Sequence, residues 1–330
     1  MRVSPDHHPP KLVVLCEKGR PSHLDRVEPR AEVRYTDAAG LAEALEGADA
    51  LFLWDFLSDA TRQAWAALEG GPDLRWIHIA AAGVDKLMFP ELVESDVTVT
   101  NSRGIFESSI AEFVLGTILA FAKDFPGNFR LQSSGEWRHR ETERITGRTV
   151  LIAGTGPIGR ATAQLLRAAG MRVSGIGRTA RDSDPDFGVV YSDEELSERL
   201  ADADYVVALA PLTERTRGMF GARAFAAMKP TARFINVGRG ELVVEPELAG
   251  ALGAGEIAGA ALDVFATEPL PGDSPLWTMP NVLISPHMSG DFIGWEDALA
   301  ELFVDNFERW TAGAELRNIV NKSLGYVPGP

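Results

Sequence analysis

Arg148-Thr-Val-Leu-Ile-Ala-Gly154-Thr155-Gly156-Pro157-Ile158-Gly159-Arg-Ala-Thr-Ala-Gln-Leu-Leu-Arg-Ala-Ala-Gly170 reads without interruption as buried strand, glycine turn, helix and helix stop. Val150 to Ala153 is a short apolar run of the kind that a parallel strand buried on both faces shows, and Gly170 closes the helix as a C-terminal cap. The order strand, Gly-x-Gly-x-x-Gly, helix is that of a dinucleotide site. Gly154 permits the tight turn, Gly156 lets a pyrophosphate approach the backbone, and Gly159 lets the helix pack closely on its strand. The helix N-terminus adds unpaired N–H groups and partial positive charge, both favourable to an anion.

Downstream of Gly170 the strand Arg172 to Ile176 leads into Gly177-Arg178-Thr179-Ala180-Arg181. A site for the unphosphorylated cofactor places Asp or Glu here, about 20 residues past the glycines, to bind the ribose 2′-hydroxyl. This chain instead offers Arg178 and Arg181 with the hydroxyl of Thr179, groups that suit a 2′-phosphate. NADP is therefore the expected cofactor and NAD the alternative, for which Asp182 and Asp184 speak.

Composition bounds the rest. With 330 residues the chain accommodates about two domains. Hydrophobic residues make up 45% and charged residues 24%, and the longest apolar segment, Ile110 to Ala122, is broken by Glu112, Gly116 and Thr117. Met1 to Pro10 has no apolar core of a secretory signal, so a cytoplasmic protein is expected. The single cysteine, Cys16, excludes an internal disulfide and sits beside the apolar Val13 to Leu15, which suggests a buried strand residue rather than a nucleophile. A net charge of −15 argues against nucleic acid and repels anionic substrates at long range, so a small acid must be captured by a local cationic group.

Upstream of the glycine loop the chain alternates strand-like and helix-like pieces. Strands are expected at Lys11 to Cys16, Val33 to Tyr35, Ala50 to Trp54, Trp76 to Ile79 and Val97 to Thr100, with helices near Gly40 to Leu45 and Thr61 to Leu68, the rhythm of a parallel sheet. The turn Ala80-Ala81-Ala82-Gly83-Val84-Asp85 exposes backbone N–H groups at the carboxyl edge of that sheet, where ligands of such folds bind. A helix follows to about Lys123, with Ser108 or Ser109 as its cap. It is apolar nearly all round, which calls for burial between domains or against a second subunit. Asp124 to Gly147 reads as a partly helical crossing into the next domain.

Beyond the glycine loop, Tyr205 to Ala210, Phe234 to Val237, Ala258 to Val264 and Val282 to Ser285 read as strands, separated by helical stretches. The last three deliver Arg239, Glu268 and His287 just past their carboxyl ends, the edge where the dinucleotide is expected. Each has an ordinary explanation alone: arginines cap helices, Glu-Pro marks turns, and a lone His is often a satisfied core residue. Together they fit a 2-oxo acid beside a nicotinamide, which needs a cation for its carboxylate, a proton donor for its carbonyl oxygen, and a group to keep that donor charged. The glycines around Arg239 are expected to let its fork approach the ligand. A carboxylate beside imidazolium favours the charged form, so Glu268 is expected to hold His287 protonated and oriented.

The ordered series Gly154-Thr-Gly-Pro-Ile-Gly159, Pro211-Leu-Thr213, Asn236-Val-Gly-Arg-Gly240, Asp263-Val-Phe-Ala-Thr-Glu268-Pro and Ser285-Pro-His287 resembles the D-isomer-specific 2-hydroxyacid dehydrogenase family, of the glyoxylate/hydroxypyruvate reductase-like kind. The resemblance spans roughly Ala80 to the C-terminus. It implies an α/β fold of two Rossmann/flavodoxin-like parallel-sheet domains with a cleft between them. Residues 1–102 and 290–330 would form a discontinuous substrate domain, and 103–289 the dinucleotide-binding domain.

It further implies that Arg239 binds substrate carboxylate and carbonyl, that His287 is the acid/base with Glu268 as partner, and that the backbone of Ala82 and Gly83 receives the carboxylate. Asp263 would face the nicotinamide amide, and Pro211, Thr213 and Val237 would line the cofactor site. The implied reaction is reduction of a small 2-oxo acid to the (R)-2-hydroxy acid by a homodimer. Ser289-Gly290-Asp291 departs from the Ala-rich turn of many relatives, which leaves substrate preference open; Trp54, Met88, Phe292 and Trp295 are pocket candidates or core. Glu268, a carboxylate before the catalytic His, disfavours formate-type relatives. Phosphoglycerate-type dehydrogenases and cofactor-sensing corepressor-like proteins remain the alternatives.

Overall fold

The structure, a computed structural model, describes residues 8–17, 19–56, 58–68 and 71–328. It divides into two compact units, one formed by residues 1–105 with 292–330 and the other by 106–291. Of the stretch Met1 to Pro10 read above for a secretory signal, residues 1–7 lie outside the described residues.

The first unit opens with β1 (Lys11–Leu15), β2 (Glu32–Thr36), α1 (Leu41–Ala44), β3 (Ala50–Leu53), α2 (Ala60–Ala67), β4 (Trp76–Ile79), α3 (Pro90–Glu94) and β5 (Thr98–Thr100). All strands pair in parallel, in the order β2-β1-β3-β4-β5. β3 and β4 are buried along their whole length, which is why Ala-Leu-Phe-Leu and Trp-Ile-His-Ile read as continuous rather than alternating runs. Cys16 falls just past β1 and is half-buried; burial raises its thiol pKa, Arg20 opposing, which suits no nucleophile.

The second unit begins with α4 (Glu107–Ala122) and α5 (Phe125–Ser133), the latter inside the stretch read as a crossing. Ser108 and Ser109 do not cap α4: its N-cap is Phe106, without a side-chain bond, and the Ser109 hydroxyl donates instead to the Ser289 carbonyl at 3.2 Å. Ile110, Val114 and Ile118 are buried, and α4 packs along the helix that follows the glycine loop.

Then come β6 (Thr149–Ala153), α6 (Pro157–Ala168), β7 (Arg172–Gly177), β8 (Arg181–Asp184), β9 (Gly188–Ser192), α7 (Leu196–Leu200), β10 (Tyr205–Ala208), α8 (Ala222–Ala227), β11 (Arg233–Asn236), α9 (Glu245–Ala254), β12 (Gly259–Leu262) and β13 (Val282–Ile284). The eight strands run β13-β12-β11-β10-β6-β7-β9-β8, with only β8 antiparallel. The chain starts this sheet at β6, builds outward through β7 and β9, and crosses back to β10. The order therefore reverses between β6 and β10, at the carboxyl end of the glycine-loop strand. α6 ends as expected: Gly170 has φ 82°, its N–H bonds the Arg167 carbonyl at 2.9 Å, and the Met171 N–H bonds Leu166 at 3.0 Å.

The chain then returns to the first unit as α10 (Trp295–Thr311), a helix that the sequence reading did not place. The fully buried Phe303 stacks on Phe52, with ring centroids 3.9 Å apart, and lies 5.5 Å from the parallel Trp76 ring. Each such ring contributes on the order of 2–3 kcal/mol by burial. An antiparallel bridge between Thr100 and Ile319 continues the return. Trp54 and Met88 are half-buried, Met88 against this unit's core; Phe292 is exposed and Trp295 half-buried at the start of α10. Among the described residues no helix is long and apolar enough to cross a membrane.

Candidate active site

The glycine loop takes the form its spacing demands. Gly154 has φ 123°, and a Cβ there would lie 2.5 Å from the Leu209 carbonyl group, so the loop runs hard against the end of β10. A Cβ on Gly159 would stand 2.0 Å from the Gly154 oxygen, so this glycine admits the helix to its own loop. Gly156 differs: it is the N-cap of α6, exposed, and a Cβ there would meet nothing within 4 Å. Its missing side chain therefore serves space outside the protein, as close approach of a pyrophosphate requires, and the residues present fit a dinucleotide. Pro157 starts the helix and Ile158 is half-buried beside it. Thr155 turns the other way, against the glycines of β7; its methyl would lie 3.0 Å from a Cβ on Gly175.

Pro211 and Thr213 follow β10 directly. Thr216 fixes this turn, its hydroxyl donating to the Pro211 carbonyl at 2.6 Å and accepting from the Thr213 N–H at 2.9 Å. Val237 is buried one residue past β11, its N–H on the Ala208 carbonyl at 3.3 Å. These residues and Gly154 therefore sit on neighbouring strand ends of one sheet edge.

The segment after β7 corrects the expectation for Arg181. It begins β8, the outer strand of a hairpin that the sequence reading took for a loop, and its Nε donates to Asp184 at 2.9 Å. Its Nη2 is enclosed without a hydrogen bond. Asp184 also accepts from Arg160 of α6 at 3.2 Å and from the backbone N–H groups of Asp186 and Phe187. Burial alone would raise this carboxyl, but Arg160, those N–H groups and Arg181 outweigh it and hold it down at about 2. Asp184, one of the two carboxylates that spoke for NAD, is thus committed to the hairpin. Arg178 and Thr179 lie exposed just past β7.

At the same edge the ends of β11, β12 and β13 bring Arg239, Glu268 and His287 together. His287 Nδ1 lies 2.7 Å from Glu268 Oε2, and the other Glu268 oxygen accepts the Phe265 N–H at 2.9 Å. Burial pushes the Glu268 pKa up, but the His287 and Phe265 hydrogen bonds and the nearby charges of His287 and Arg239 bring it below the usual carboxylate value. An ionised carboxylate only accepts, so Nδ1 carries the proton in this contact and Nε2 is left for exchange.

Arg239 caps the turn after β11. Asn236 clamps it, donating through Nδ2 to the Arg239 carbonyl at 2.9 Å and accepting the Gly238 N–H at 3.1 Å. Asn236 stood in the quoted motif without a role; a polar residue ending an apolar strand was its only signal. The flanking glycines serve packing more than ligand approach. A Cβ on Gly240 would fall 1.9 Å from the Phe265 carbonyl carbon, and one on Gly238 would meet Leu242 at 3.0 Å. The absent side chains let the Arg239 turn nest on the loop that carries Glu268.

Asp263 is fully buried at the end of β12. Its carboxylate accepts from the Ser285 hydroxyl, from the Met288 N–H at 2.9 Å and from the Ser289 N–H at 2.9 Å. The carboxylate that the resemblance aims at a nicotinamide amide thus has three donors from the His287 loop. Ala82 and Gly83 lie in the first unit, half-buried in the turn after β4. Among the described residues no cluster of three His, Cys, Asp or Glu side chains is placed to hold a metal ion.

The family model for the NAD binding domain of D-isomer specific 2-hydroxyacid dehydrogenases matches residues 115–289. The chain is 32% identical over 269 residues to a glyoxylate reductase of Korarchaeum cryptofilum, an alignment covering 79% of this chain and 80% of the relative. A D-isomer specific 2-hydroxyacid dehydrogenase of Xanthobacter autotrophicus, solved with NADPH and MES, superposes with a TM-score of 0.82 at 32% identity, covering 97% of this chain and 100% of that one. An NADPH-dependent glyoxylate/hydroxypyruvate reductase of Sinorhizobium meliloti, solved with NADP and sulfate, gives 0.81 at 29% identity, covering 96% and 100%.

Proposed function

This chain belongs to the D-isomer specific 2-hydroxyacid dehydrogenase family, and we propose that it reduces a small 2-oxo acid, glyoxylate or hydroxypyruvate being the leading examples, to the (R)-2-hydroxy acid with NADPH. The observation that carries the reading is the 2.7 Å contact of His287 Nδ1 with Glu268 on the sheet edge that also bears Arg239 and the glycine loop. The reduced nicotinamide, when bound, supplies hydride to the carbonyl carbon. Glu268 accepts from Nδ1 and fixes the ring, so that His287 Nε2 gives its proton to the carbonyl oxygen as negative charge gathers there. Arg239 offers a two-pronged cation to the carboxylate and the same oxygen. The backbone of Ala82 and Gly83 receives the carboxylate.

Gly154 to Gly159 would hold the pyrophosphate at the head of α6. Preference for NADP over NAD rests on Arg178 and Thr179, exposed past β7, and on Asp184 being committed to Arg160 and Arg181. The relatives solved with NADPH or NADP support the same choice. The open face of α4, where Phe113, Gly116 and Ala120 border Leu283 and Ile284, suits a second copy of the chain, and a homodimer is part of the proposal.

The test is a set of initial rates with NADPH and NADH against glyoxylate, hydroxypyruvate, pyruvate, phenylpyruvate and oxaloacetate. Turnover of at least one acid, faster with NADPH, is expected. Silence across all five with the cofactor bound would overturn the reading in favour of a cofactor-sensing role.

A further inference from the structure

The turn after β4 is held from behind by a group of buried polar side chains that the reaction itself does not use. Asn101 Nδ2 donates to the Ala82 carbonyl at 2.6 Å, the Ser102 N–H donates to the Ala81 carbonyl at 2.9 Å, and the Ser102 hydroxyl donates to the Ile79 carbonyl at 3.0 Å. Asn101 is 3% exposed and Ser102 fully buried. With these carbonyls drawn inward, the N–H groups of Ala81, Ala82 and Gly83 have no hydrogen-bond partner among the described residues. A run of unpaired N–H groups in a half-buried turn costs free energy unless water or an anion takes them.

The clamp has its own support. Trp76 Nε1–H can only donate, so Thr100 Oγ1 accepts it at 2.9 Å. The same Thr100 oxygen lies 2.8 Å from His78 Nδ1, and His78 Nε2 faces the Ser102 hydroxyl at 3.5 Å, so the ring bridges the two hydroxyls. Burial pushes the His78 pKa down to about 3, so the ring stays neutral across the working pH range. Asn318 fixes Asn101 from the other side, donating to the Asn101 carbonyl at 3.2 Å and the Arg103 carbonyl at 2.7 Å.

We propose that Asn101 and Ser102 are positioning residues that set the Ala81–Gly83 amides as a carboxylate acceptor, with His78 and Thr100 seating the Ser102 hydroxyl. This rests on the oxo-acid reading above and adds which side chains tune its affinity for the acid. Their effect belongs to binding of the carboxylate and not to proton or hydride transfer, which predicts a change in KM with kcat little altered.

The experiment measures binding of oxamate, a carboxylate isostere of a small oxo acid, and of its neutral amide oxamide, to the NADPH-loaded protein by calorimetry. It compares wild type, Ser102→Ala, which removes one hydroxyl and keeps the N–H, and Asn101→Ala, which removes the donor without adding charge. Oxamate Kd is expected to rise about tenfold in each variant and oxamide Kd less than about threefold, with NADPH Kd within about twofold. Oxamate Kd unchanged in both variants, equal losses for oxamate and oxamide, or no oxamate binding by wild type would overturn the proposal. Failure of the oxo-acid reading looks different: oxamate binds and discriminates the variants, yet none of the five acids is turned over.

Discussion

Asp263 holds His287 in a left-handed turn. The His287 backbone has φ 53°, its N–H donates to the Asp263 carbonyl at 2.8 Å, and the next two N–H groups donate to the Asp263 carboxylate. A histidine in this conformation persists only where its surroundings over-determine it. One buried carboxylate and its own carbonyl thus shape the turn that aims the imidazole at Glu268.

Asp263→Asn keeps the size but turns an NH2 toward backbone donors. Turnover should fall at least about tenfold, with faster hydrogen exchange across residues 285–289, because a buried donor left facing a donor costs about 1–3 kcal/mol. Initial rates and exchange mass spectrometry check this; unaltered exchange in that segment would refute it.

Glu268→Gln keeps an acceptor for Nδ1 but removes the charge. Turnover should drop about 10- to 100-fold, short of the ~10²- to 10⁴-fold expected for loss of the proton donor itself. The folded Glu268 pKa lies below its ordinary value of 4.5. Its contribution to stability is therefore complete above that value and is lost as pH falls through the lower folded one. Wild type should lose Tm on acidification by a component that the Gln variant lacks.

Asp184 gives a larger acid signature. Its folded pKa of about 2 against an ordinary 3.8 means that stability on the order of 2 kcal/mol is present above pH ~4 and lost toward pH ~2. Asp184→Asn should lower the urea midpoint at pH 7 and change it little at pH 2. An equal drop at both values would remove the electrostatic explanation.

Two glycines should respond oppositely to alanine. Gly240→Ala forces a methyl against the Phe265 backbone, 1.9 Å from its carbonyl carbon, and should cost more than about 1–3 kcal/mol together with most of the turnover. Gly156→Ala meets nothing within 4 Å and has φ −75°, so Tm should hold while NADPH affinity falls. Thermal melts with fluorescence titration of NADPH separate the two.

Arg178→Ala should lower kcat/KM with NADPH about tenfold or more and leave that with NADH within about threefold, because only the former carries a 2′-phosphate. Equal losses with both cofactors would assign Arg178 to the fold.

The glycine loop, the strands of the described residues apart from the β8–β9 hairpin, and the convergence of Arg239, Glu268 and His287 were legible because they rest on local signals. Buried parallel strands are short apolar runs, and the residue after such a strand lies at the ligand edge whatever packs around it. The hairpin was hidden because Arg181 to Asp184 is wholly polar, and its strand forms only once Asp184 meets Arg160 from α6. α10 was missed although Leu299, Phe303 and Phe307 lie on one face, because no strand follows it to complete the alternating pattern.

By itself the sequence determined the two parallel α/β sheets, the dinucleotide loop and the identity of the charged groups at one edge, since each follows from residue type and spacing along the chain. Only the tertiary structure decided what each charge is for. Arg181, read from the sequence as part of a loop facing a 2′-phosphate, is spent on a buried carboxylate 3 residues away. Asp263 and Glu268 are both carboxylates past β12, yet one holds the backbone of His287 and the other its ring. The strength and partner of a charge depend on burial and on distances measured through space, and no spacing along the chain encodes those.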